Sequence, residues 1–78
     1  SALFKSKYHK TFLEYLTELR IEKAKSLLVS TDLKLYEVAE KSGYADPHYF
    51  SVTFKRVTGM TPKEYREFSR RGDTAPQA

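Results

Sequence analysis

His48, Ser51, Val52, Lys55 and Arg56 lie close together, and at a helical 100° per residue they fall on one face. The set pairs short or polar side chains with two cations. That chemistry recognises an anionic surface that displays hydrogen-bonding edges; it does not make or break bonds. Reagents for catalysis are missing. The chain has no cysteine, so neither a thiolate nucleophile nor a disulfide framework is available. His9 has no second His, Cys or acidic pair at metal-ligand spacing, so a loop residue is expected and no metal. Glu14, Glu18 and Glu22 are spaced i, i+4 and read as solvated charges on a helix. No glycine-rich phosphate loop occurs. Neither an enzyme nor a cofactor is expected. Arg71-Gly72-Asp73 spells a cell-adhesion tripeptide, which we read as coincidence.

The face needs a helix to carry it. Asp46-Pro47 is an N-cap followed by the proline favoured in the first turn. Phe50, Phe54 and Val57 then form an inward stripe, so the helix runs from about Asp46 to Val57. Upstream, Leu35, Val38, Ala39 and Ser42 recur at i, i+3, i+4 and i+7, and Gly43 ends that helix. Ala39 permits a close helix crossing, and Gly43 accepts a turn conformation that a side chain would hinder. The product is helix, tight turn, helix. A second helix with polar residues early and basic residues late suits the major groove of double-stranded DNA. Early residues meet base edges and late ones meet phosphates. Short helical hairpins in other proteins share this pattern.

No segment sustains an alternating period, so the chain is expected to be all-α. The longest helix spans 11–29. Phe12, Leu16 and Leu19 share an arc that Leu13, Ile21, Ala24, Leu27 and Leu28 widen, as in a connector packed on two sides. Arg20 points into that arc, so it either snorkels or is paired. Pro62 to Arg70 forms a last helix with Tyr65 and Phe68 inward, and 71–78 reads as a disordered polar tail.

Residues 1–20 lie over 51–70 without a slip: Ser1 on Ser51, Phe4 on Phe54, Lys5 on Lys55, Thr11 on Thr61, Glu14 on Glu64, Tyr15 on Tyr65 and Arg20 on Arg70. Both copies hold a capping box, Thr11 with Glu14 and Thr61 with Glu64. The second copy is preceded by Leu35 to Phe50, and the first by nothing. The expectation is that the sequence starts inside a first repeat.

Length and charge set the bounds. Seventy-eight residues make one small domain. The absence of cysteine fits a reducing cytoplasm. No apolar run reaches membrane-spanning length, and no signal-peptide pattern opens the chain. The net charge of +4 permits phosphate neutralisation without demanding it. It sits on the flanks: segment 1–29 carries +3 and 59–71 carries +2.

The runs FLEYLTELRIEKAKSLL (12–28) and STDLKLYEVAEKSGYADPHYFSVTFKRVTGMTPKEYR (30–66), with LFK at 3–5, resemble the DNA-binding domain of AraC/XylS-family transcription regulators. They are especially similar to the version that ends YesN-like response regulators. The resemblance covers nearly everything to Arg66. It implies two homeodomain-like helix-turn-helix units joined by a long linker helix, with recognition helices entering successive major-groove segments. It assigns 1–10 to the remnant of a first recognition helix and its loop, 11–29 to the linker and 30–70 to the second unit. Three departures stand out. The first unit lacks its opening. Tyr8-His9-Lys10 replaces the usual Thr-Gly pair, and Val52 sits where relatives commonly carry Arg or Lys.

From this resemblance, His48, Ser51 and Val52 are expected at base edges, Val52 through an apolar contact such as a thymine methyl. Tyr49, Lys55 and Arg56 are expected at phosphates, with a half-buried ring as the alternative for Tyr49. The partner is double-stranded DNA. An upstream receiver or sensor domain is implied, and apolar surface at Phe12, Leu16 and Leu19 invites a homodimer. The rival reading is a helical interaction module whose basic face meets RNA polymerase or a partner domain. A membrane-surface role is not expected, because no helix sets a basic face against a broad free apolar one.

Overall fold

The computed structural model describes residues 11–71. Among these residues four helices run in the order α1 (Phe12–Ser30), α2 (Leu35–Lys41), α3 (Pro47–Thr58) and α4 (Pro62–Arg70). No strand occurs among the described residues, as the sequence predicts. The supposed remnant at 1–10 lies outside the described residues, as does the tail from Gly72 onward.

Each helix starts where a side chain can satisfy its free amides. Thr11 Oγ1 accepts from the Glu14 amide at 3.0 Å, and the Thr11 amide donates to Glu14 Oε1 at 2.8 Å. The copy at Thr61 repeats the geometry at 3.1 and 2.9 Å. Asp46 Oδ1 accepts from the His48 amide at 2.9 Å, with Pro47 in the first turn of α3. The α2 start is plainer: the Lys34 amide donates to Glu37 Oε1 at 2.8 Å.

The ends differ. Gly59 closes α3 in the left-handed region at φ +88, and Gly43 turns the chain between α2 and α3 at φ +100. Helix α1 has no basic residue in its last turn. Its cations arrive from α4. Arg66 Nε donates to the Leu28 carbonyl at 3.0 Å, and its Nη2 donates to the Thr31 carbonyl at 3.2 Å. Arg70 Nη2 reaches the same Thr31 carbonyl at 2.8 Å and Asp32 Oδ1 at 2.6 Å. Positive charge therefore sits at the negative end of the α1 dipole.

The core takes Ile21, Ala24 and Leu28 from α1, Val38 and Ala39 from α2, Tyr44 from the turn, and Phe50 and Phe54 from α3. Leu27, Leu33, Leu35 and Tyr65 pack on its margin. Only the C-terminal half of α1 is buried in it. Phe12, Leu13 and Leu19 are 58%, 66% and 49% exposed. The two-sided packing expected for this helix is thus one-sided among the described residues.

The stripe of α3 also differs from expectation. Phe50 and Phe54 are buried, but their companion is Thr53 at 2% exposure, whereas Val57 is 42% exposed. Thr53 completes the i, i+3, i+4 set that meets the core. Val57 lies beyond it and borders a recess beside the N-terminal half of α1, with Leu13 across the gap.

Candidate nucleic-acid interface

Helix α3 is anchored from below by Phe50, Thr53 and Phe54. The anchors form an aromatic line. Ring centroids are 5.5 Å apart for Tyr44–Phe50, 5.8 Å for Phe50–Phe54 and 5.5 Å for Phe54–Tyr65, spacings at which rings attract beyond their area burial. A helix held on three core residues presents the rest of its surface in a fixed orientation.

That surface carries the six residues singled out from the sequence. His48, Tyr49, Val52, Lys55 and Arg56 are exposed and Ser51 is half-buried. The His48 amide is used by Asp46, so its ring is the part left to meet a ligand. The side chains of Lys55 and Arg56 make no hydrogen bond or ion pair among the described residues. They occupy the last turns of α3 and complement its dipole. Tyr49 is both exposed and in contact with a neighbouring ring. It is 57% exposed, yet its ring lies 5.9 Å from that of Tyr44. The face thus groups a ring, a hydroxyl and an apolar side chain early in the helix with two uncommitted cations late in it. Such a face can hydrogen-bond edges and neutralise phosphates. Among the described residues no group of side chains could hold a metal.

Sequence reasoning missed three contributors. Tyr44 is 6% exposed and its hydroxyl has no hydrogen-bond partner. Burial raises its pKa above the ordinary 10, while the Arg20 and Arg56 charges pull the other way. It follows Gly43, and an aromatic after a turn glycine was the available signal. Arg66 and Arg70 were the others, and their i, i+4 spacing on α4 was the hint. Arg20 proves to be paired: its guanidinium carbon sits 5.5 Å from the Tyr44 ring centroid. The Glu64 carboxylate, accepting from Thr61 at the α4 cap, is held below its ordinary range, chiefly by the backbone hydrogen bond from Thr61.

Comparison with known proteins places this arrangement. A family described as "Helix-turn-helix domain" matches residues 1–67. The transcriptional activator RhaR of Enterobacter sp. (strain 638) is 44% identical over 68 residues, covering 87% of this chain and 24% of RhaR. The C-terminal domain of the two-component response regulator YesN from Fusobacterium nucleatum superposes with TM-score 0.81 at 47% identity, covering 85% of this chain and 64% of that one. The DNA-binding domain of AdpA, solved in complex with a target DNA, superposes with TM-score 0.86 at 30% identity over 99% of this chain and 68% of that one. The chain spans 18% and 24% of the length of the first two curated relatives it matches.

Proposed function

We propose that this chain, which belongs to the AraC-type helix-turn-helix family, binds DNA sequence-specifically as the output segment of a bacterial transcription regulator. The carrying observation is the face of α3: a helix anchored by Phe50, Thr53 and Phe54 whose outer side offers uncommitted Lys55 and Arg56 beside polar groups. His48, Ser51 and Val52 meet base edges in the major groove, and Tyr49, Lys55 and Arg56 meet phosphates. DNA bound by AdpA supports this assignment by likeness. Residues 30–70 act as one reading unit and 11–29 as the linker helix. Residues 1–10 end a first unit, on the strength of the repeat. In the whole protein, a receiver or sensor domain upstream controls this segment, as the response-regulator relative suggests. The site of action is the cytoplasm, where bacterial DNA lies. No described helix is long and apolar enough to cross a membrane.

The test is an anisotropy titration against a duplex selected from a random pool and against a scrambled one, each at two salt concentrations. Binding should weaken with salt at a slope of about −0.9 per neutralised phosphate. Lys55→Glu and Arg56→Glu should lower affinity for both duplexes, whereas His48→Ala should mainly reduce the preference for the selected one. Binding to neither duplex at low salt sinks the reading. The exposed residues of α1 would then become the leading surface, with RNA polymerase or a partner domain as the ligand to try.

A further inference from the structure

Arg20 belongs to α1, not to the face proposed to meet DNA, yet it reaches that face through the turn. Its guanidinium lies 5.5 Å from the Tyr44 ring centroid. It also presses on the turn itself: a Cβ at Gly43 would stand 3.1 Å from Arg20 Nε. The glycine therefore serves two ends. It takes the φ of +100, and it leaves room for the arginine. Tyr44 in turn touches the start of α3, with its ring 5.9 Å from Tyr49 and 5.5 Å from Phe50. Its hydroxyl is buried and unpartnered, so no hydrogen bond fixes this ring. What locates it is the contact on its faces, and Arg20 supplies the charged one.

We propose that Arg20 is a positioning residue for DNA reading: through Gly43 and Tyr44 it sets the orientation of the first turns of α3, and so of His48 and Ser51, without touching DNA. The inference rests on the DNA-binding reading above. It assigns sequence discrimination partly to a residue of the linker helix. A movement of that helix relative to the reading unit would disturb this contact.

Arg20→Met keeps most of the apolar stem and removes the guanidinium. With the variant folded by circular dichroism at the assay temperature, it should lose about tenfold of its discrimination between selected and scrambled duplex. Its affinity for the scrambled duplex and its salt slope should stay as in the parent. Tyr44→Phe should match the parent, since the deleted hydroxyl has no partner. Should Arg20→Met fail to fold, Arg20→Lys, which keeps the charge but not the planar fork, should show an intermediate loss. A salt slope shallower by about 0.9 would instead make Arg20 a direct phosphate contact and overturn the proposal. Unchanged discrimination would overturn it too. Hydrogen exchange in the free protein separates this result from the DNA reading itself. Amides of Phe50 to Thr53 should exchange faster in Arg20→Met whether or not any duplex binds, and unchanged exchange there refutes the positioning role.

Discussion

Two glycines share a left-handed backbone and differ in what surrounds them. At Gly43 a methyl group would meet Arg20 at 3.1 Å, while at Gly59 nothing lies within 4 Å. Both substitutions to alanine carry the backbone penalty of about 1–2 kcal/mol. Gly43→Ala adds displacement of Arg20, so in urea unfolding it should cost more than Gly59→Ala, and equal midpoints would contradict the crowding. Val52 supports a prediction of the opposite kind. It is 52% exposed among groups proposed to meet DNA. Val52→Arg should tighten binding to every duplex and steepen the salt slope by about 0.9, the mark of one added phosphate contact. At this scale the sequence was informative where local rules apply. Asp46-Pro47 located the start of α3, and the helical period put His48, Val52, Lys55 and Arg56 outside. It did not join Arg20 to Tyr44, because a cation over a ring links residues far apart in the chain and leaves no periodic trace.

Helix ends carry much of the architecture. The two capping boxes were legible, since a Thr and a Glu three residues on are local chemistry. The Glu64 carboxylate is held below its usual 4.5 by the Thr61 amide. A carboxylate with a depressed folded pKa contributes stability above its unfolded value and loses it as pH falls through the folded one. Protection of the α4 amides should therefore decline with acid beginning near pH 4.5, and Glu64→Gln should flatten that part of the profile. The other end of the unit was not legible. Nothing around Ser30 announces that the Leu28 and Thr31 carbonyls are served by α4. Arg66→Ala strips charge-assisted hydrogen bonds from the Leu28 carbonyl of α1 and the Thr31 carbonyl at its cap, and should cost about 2 kcal/mol by urea unfolding. Arg66→Lys should recover little, because one ammonium does not reproduce the planar fork. The stripe of α3 shows a further limit. Periodicity alone placed Val57 with Phe50 and Phe54, but burial also depends on how far the neighbouring helix reaches, and Thr53 took the place.

Over the whole molecule, burial is uneven along α1. Ile21, Ala24 and Leu28 close the core, while Phe12, Leu13 and Leu19 face outward. The width of the apolar arc was readable in the sequence, but what lies against each side is a property of the assembled chain. Exposed apolar surface of this kind favours self-association. Sedimentation equilibrium should show the chain associating as concentration rises, and Leu19→Lys should weaken that association without lowering the unfolding midpoint. A monomer at every concentration would remove the dimer from consideration. The hydrogen bonds from Arg66 and Arg70 span 35 to 39 residues of sequence. During synthesis, then, α1, α2 and α3 are all translated before the guanidinium groups that close the end of α1. A nascent chain stopped short of Arg66 holds the whole proposed reading face and none of its clasp. The unit acquires its finished form only as the last helix leaves the exit tunnel.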